Sequence, residues 1–167
     1  RMYLYEGSPG SGKTTIALQF LLEGVRHGER VLYVTLSETK RELELVAKRH
    51  GWTLEGIDVF ELVTPENTLD PELELTVLHP AEMELSETTK QVFDRVSETN
   101  PTRVIFDSLS EMRLLAQSPL RYRRQVLAIK HFFTTRRCTV ILLDDQTSES
   151  GDLQLHSISH GVVKLEQ

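Results

Sequence analysis

Cysteine is nearly missing from this 167-residue chain: Cys138 is the only one, so no disulfide can close within it. That fits a reducing, cytoplasmic setting. Cys138 opens an apolar run and reads as a small core residue. Basic charge is also short, with 19 Lys and Arg against 25 Asp and Glu and a net charge of -6. Such a balance argues against a nucleic-acid platform. No apolar run reaches the ~18 residues of a membrane span, no signal peptide is visible, and no repeat or low-complexity tract interrupts the chain. The first residue is Arg1 rather than Met, and a strand starts almost at once. The expectation is therefore one domain over residues 1–167, cut from a longer chain.

What is present is dominated by one run, Gly7-Ser8-Pro9-Gly10-Ser11-Gly12-Lys13-Thr14. It fits G-x-x-x-x-G-K-[ST], the phosphate-binding P-loop. Its glycines allow tight turns, so successive amides can point at phosphate oxygens. Lys13 supplies a point charge for the β and γ phosphates, and the Thr14 hydroxyl is a Mg²⁺ ligand. The flanks agree. Met2 to Tyr5 is apolar and aromatic like a buried strand, and Ile16, Ala17, Phe20, Leu21 and Gly24 recur at helical spacing before a stop at Gly28.

Further strands are expected over Val31 to Leu36, Ile57 to Val63, Arg103 to Asp107, Thr139 to Leu143 and around Val162 to Leu165. Thr39 and Glu42 have capping-box spacing ahead of a helix with Leu43, Val46, Ala47 and His50 on one face. Pro65 to Leu85 is acidic and without clear period, and reads as a surface excursion. Ser86 is placed to cap a helix through Ser97, with Val92, Phe93 and Val96 inward and Asn100-Pro101 as its stop. Leu120 to Arg136 has a loose helical period through Val126, Leu127, Ile129, Lys130 and Phe133. Alternating strands and helices predict an α/β fold, a mostly parallel twisted sheet with helices on both faces. Ligands bind such sheets at the carboxyl ends of the strands, where Gly7, Glu38, Asp107 and Asp144 should converge.

Asp107 ends a buried strand and is expected to hold Mg²⁺, the partner that a P-loop requires, with a helix or turn cap in Asp107-Ser108-Leu109-Ser110 as the other reading. Glu38 follows the second strand. It either orients and deprotonates a water attacking the γ-phosphate, or is an acid that favours a helix N-terminus. Asp144, Asp145 and Gln146 are three candidates for a γ-phosphate sensor at another strand tip, or equally polar residues where a strand meets solvent. Arg121-Tyr122-Arg123-Arg124 reads first as a solvated helix start and second as a contact for nucleic acid or a neighbouring subunit. Asp145 to Gly161 contains no Lys or Arg, which disfavours a DNA-binding loop. His156 and His160 are four apart, but Gly161 and the β-like residues after it argue against a helix and a zinc site there.

These residues together resemble the RecA superfamily, and within it the KaiC-like ATPases related to the circadian clock protein. The resemblance runs from Glu6 to Thr15 and Leu18 to Leu21, through Val34 to Thr39, Gly51-Trp52 and Val104 to Ser108, to His160-Gly161-Val162-Val163. It implies a RecA-like P-loop NTPase that hydrolyses ATP with Mg²⁺ and assembles into hexameric rings with nucleotide between subunits. It implies that Gly7, Ser8, Pro9, Gly10, Ser11, Gly12, Lys13, Thr14 and Thr15 cradle the nucleotide. Thr14 and Asp107 would hold the metal, and Glu38 would be the catalytic carboxylate beside Lys13. The family carries two consecutive acids after the second strand, where this chain has Ser37 and Glu38. The family's basic residues that reach the next subunit's phosphates would lie beyond Gln167. Three alternatives follow: a serine/threonine autokinase acting on Ser157 or Ser159, read otherwise as polar residues on a strand edge; a DNA-dependent recombinase or helicase module; and a nucleotide-gated scaffold without turnover.

Overall fold

Three runs, Val31–Thr35, Arg103–Asp107 and Thr139–Asp145, are too apolar to face water on either side and are buried almost throughout instead of alternating inside and out. The computed structural model describes residues 1–62, 80–145 and 153–166. In it the strands are β1 (Met2–Gly7), β2 (Val31–Thr35), β3 (Ile57–Glu61), β4 (Arg103–Asp107), β5 (Thr139–Asp145) and β6 (Gly161–Leu165). They form one sheet in the order β3-β2-β4-β5-β1-β6, with every adjacent pair parallel. Six helices connect them: α1 (Lys13–Arg26), α2 (Lys40–Arg49), α3 (Pro80–Thr99), α4 (Leu109–Ala116), α5 (Pro119–Thr134) and α6 (Leu153–Ile158).

The two-residue period of a strand divides the core into two layers. Val31, Tyr33, Ile105, Ile141 and Leu143 face α1 and α2, meeting Ala17, Leu18, Leu21, Leu43 and Ala47. Leu4, Leu32, Val34, Val104, Phe106, Val140 and Leu142 face α3 to α6, meeting Val92, Val96, Met112, Val126, Ile129 and Leu155. Helices therefore cover both faces, as an α/β parallel sheet requires. The β4 range matches the expectation, and Thr39 and Glu42 form the expected capping box on α2.

Several expectations need correction. Helix α3 begins at Pro80, so Ser86 lies inside it and the expected surface excursion ends earlier; residues 65–79 of that excursion, and Val63 of the expected third strand, lie outside the described residues. Leu109–Ala116 is a helix of its own, capped by Ser108, whose Oγ accepts from the Glu111 amide at 3.5 Å. Leu127 is 44% exposed because Tyr122, Val126, Ile129 and Phe133 form the inner stripe of α5. His50 lies beyond α2 and stacks on Trp52 at 4.7 Å instead of entering the core. A short helix, α6, occupies the segment expected to be loop; it carries His156 and Ser157, so Ser157 is not on a strand edge.

Candidate functional site

Strand β1 ends at Gly7, and the chain then has to turn back into α1 within a few residues. Gly10 and Gly12 make this possible with φ of 83° and 92°, where a side chain would be strained. Gly12 is also the N-cap of α1, and no side chain caps that helix. Its first amides are thus left to an external acceptor, at the positive end of the helix dipole. The Ser11 hydroxyl is buried there with no hydrogen-bond partner.

Lys13 folds back over this loop. Its Nζ donates to the carbonyls of Gly7 at 2.6 Å and Ser8 at 3.0 Å, and pairs with Asp145 Oδ1 at 3.0 Å. Gly7 and Asp145 are register partners at the tips of β1 and β5, which explains the meeting. Strand parity separates the two candidates on β5. Asp145 falls on the α1 face with Ile141 and Leu143. Asp144 points to the opposite face, where it accepts from Ser110 Oγ at 2.8 Å and pairs with Arg113 at 2.9 Å. Gln146 lies outside the described residues.

Asp107 and Thr35 are register partners at the next pair of tips. Asp107 is buried, and its Oδ2 accepts a 2.6 Å hydrogen bond from the Tyr33 hydroxyl. Burial pushes the Asp107 carboxyl above its ordinary range, while the Tyr33 bond works against that shift. Burial, with the adjacent Asp107 charge, likewise raises the Tyr33 phenol well above 10. The neighbouring Thr14 works against that rise. Tyr33 was read from sequence only as strand core. The signal was available: Tyr33, Ile105 and Asp107 share one sheet face by alternation.

Glu38 is held at its backbone. Its N–H donates to Thr35 Oγ1 at 2.9 Å, and Thr35 Oγ1 donates to its carbonyl at 2.7 Å. The Leu36 amide also donates to the Asp107 carbonyl at 2.7 Å, tying the β2 and β4 tips together. Glu38 Oε2 is buried without a partner. Burial first, then the charges of Asp107 and Glu42, raise its carboxyl to about 7.

The structure thus gathers Lys13, Thr14, Glu38 and Asp107 at one edge, with Asp145 added. Ser8, Pro9 and Gly10 form the exposed lip of the loop, and Thr15 is half-buried in the first turn of α1. Thr14 hydroxyl and Asp107 carboxylate are hard oxygen donors, the kind Mg²⁺ takes. Ser11 Oγ and Glu38 Oε2 are buried oxygens without hydrogen-bond partners. On these observations the residues fit a magnesium-bound polyphosphate. His156 and His160 are engaged elsewhere: His156 Nε2 meets Glu6 Oε1 at 2.7 Å, and His160 Nδ1 accepts from the Met2 amide at 3.1 Å. Ser157 is exposed, whereas the Ser159 hydroxyl donates to the Leu155 carbonyl at 2.9 Å. In the basic cluster, Tyr122 is buried under the Arg113 guanidinium, 5.0 Å from its ring centroid.

A family model described as "ATPase: KaiC" matches residues 1–167. The chain belongs to the KaiC ATPase family. Among curated KaiC-family relatives, it is 25% identical over 165 residues to the UPF0273 protein PH0284 of Pyrococcus horikoshii, covering 95% of this chain and 66% of that protein. It is 24% identical over 167 residues to the circadian clock protein KaiC3 of a Synechocystis strain, covering 97% of this chain and 32% of KaiC3. The crystal structure of the KaiC-like protein PH0186 from P. horikoshii superposes with a TM-score of 0.75 at 22% identity, covering 98% of this chain and 69% of the other. That likeness establishes the RecA-like fold. The chain spans about two thirds of one KaiC-family relative and a third of the other. Among the described residues, no helix is long and apolar enough to cross a membrane.

Proposed function

We propose that this domain binds ATP with Mg²⁺ along Gly7 to Thr15 and hydrolyses its terminal phosphoanhydride, as part of a ring-forming ATPase. The observation that carries the reading is the convergence of the Lys13 ammonium, the Asp107 carboxylate and the half-buried Glu38 on the uncapped start of α1. Loop amides and Lys13 bind the phosphate oxygens and neutralise charge as it moves toward the leaving group. Thr14 and Asp107 would hold magnesium, which supplies charge neutralisation between the β and γ phosphates.

Glu38 orients a water for in-line attack at the γ phosphorus. The water oxygen forms the new P–O bond, its proton passes to a Glu38 carboxylate oxygen, and the bond to the β-phosphate oxygen breaks to release ADP. A carboxyl raised to about 7 is matched to proton transfer near neutral pH. The residue before Glu38 is Ser37, so no second acid beside it shares this role. Ring assembly, and basic groups contributed by a neighbouring subunit, belong to the same proposal.

Phosphate release by the full-length assembly tests it. Glu38→Gln should retain Mg-ATP binding and slow turnover by about 10²–10⁴-fold. Turnover at the parent rate would place the base elsewhere.

A further inference from the structure

Tyr33 has no exposed surface, and its ring lies among Ala17, Leu18, Leu21 and Ile105 beneath α1. Phenylalanine would fill that space equally well. The hydroxyl therefore calls for its own explanation. It is delivered along the sheet to the carboxyl edge, because Tyr33 pairs with Ile105 and Asp107 lies two residues further along β4 on the same face. There it gives its one proton to Asp107 Oδ2 at 2.6 Å. That bond ties the phenol of β2 to the carboxylate at the tip of β4.

We infer that Tyr33 is a positioning residue: its hydroxyl fixes the Asp107 carboxylate so that Oδ1 is presented to a divalent cation beside the phosphates. The inference rests on the magnesium-nucleotide reading above. A ligand set held in place before the ion arrives loses less freedom on binding than one that must be ordered by it. Because Tyr33 engages Oδ2, Asp107 Oδ1 remains outside this bond for the ion or one of its waters. The phenol acts through Asp107 and does not itself touch phosphate.

The test compares the full chain with Tyr33→Phe by calorimetry of ATP, once with Mg²⁺ and once with EDTA. Affinity in EDTA should be unchanged, while the gain on adding Mg²⁺ should fall by roughly 3- to 10-fold, the scale of one lost hydrogen bond. An equal Mg²⁺ gain in both proteins, whatever happens to the melting temperature, would reduce Tyr33 to packing and overturn the inference. If the parent binds ATP in neither condition, the nucleotide reading fails and takes this inference with it. If parent binding is intact and only the Mg²⁺ gain is unaltered, the inference fails alone. Should Tyr33→Phe not fold, the parent is read by NMR: the buried Tyr33 hydroxyl proton should shift when Mg²⁺ is added to the ATP-saturated chain, and an unmoved resonance overturns the inference.

Discussion

Asp145→Asn should tighten nucleotide binding, although it removes a polar contact from the site. Lys13 Nζ is shared among Gly7 O at 2.6 Å, Ser8 O at 3.0 Å and Asp145 Oδ1 at 3.0 Å. Two of these partners are backbone carbonyls, and the third is an anion that competes with phosphate for the same ammonium. The Lys13 side chain is 10% exposed and that of Asp145 39%. The pair therefore lies between a surface ion pair, worth ~0.2–1 kcal/mol, and a buried charged hydrogen bond, worth ~1.5–3 kcal/mol. With solvent screening on the Asp145 side, about 1 kcal/mol is a fair value, which is roughly fivefold in affinity. Repulsion between Asp145 and the phosphates acts in the same direction. The asparagine should sit in the same place, because the residue 145 amide donates to Ser110 Oγ at 2.9 Å. Calorimetry with Mg-ATP and Mg-ADP at low and high salt reads the effect, and the advantage of the variant should shrink as salt rises. Equal or weaker binding by Asp145→Asn would refute the competition.

Two further outcomes follow from the packing and the charges. Gly7→Ala would bring a Cβ to 2.8 Å from the Leu165 carbonyl on β6, so edge strand or loop must shift; the urea midpoint should fall by an amount equivalent to ~1–3 kcal/mol, and an unchanged midpoint would contradict the close approach. Glu38 makes stability depend on pH in a direction opposite to a salt-bridged acid. Its carboxyl holds a proton up to about 7 in the folded chain against 4.5 ordinarily, so the native state binds more protons between these values and stability falls as pH rises through them. Without nucleotide, Glu38→Gln should therefore be the more stable protein at pH 8, by ~1–2 kcal/mol once solvent screening of this half-buried carboxyl is allowed for, and lose that advantage near pH 4. Parallel pH profiles for the two chains would remove the buried carboxylate from the account.

Much of the site was legible because its signals are local. The Gly7 to Thr14 run, the strand ending on Asp107 and the Thr39–Glu42 box each depend on neighbours within a few residues. Elements defined by weaker periods were not. Leu109, Met112 and Ala116 are the buried positions of α4, too few to stand out after a strand-tip acid that already suggested a turn. The start of α3 was misplaced because Ser86 mimics a cap, while the chain from Pro80 is already helical. The choice between Asp144 and Asp145 needed the face on which α1 packs, which is tertiary information. Once α1 is known to cover Ile141 and Leu143, strand alternation assigns Asp145 to Lys13 and Asp144 to Arg113. Tyr33 was hidden for the opposite reason: a buried aromatic is what a core strand should contain, and only coordinates reveal where its hydroxyl ends.

The central claim is that one ammonium and the amides around it grip a magnesium polyphosphate. Titrating Mg-ATP into the full chain and into Lys13→Ala, side by side in a calorimeter, addresses it most directly. Saturable one-site binding by the parent and its loss in the variant is the result expected. The same affinity in both would mean that the loop from Gly7 to Thr14 does not hold the nucleotide.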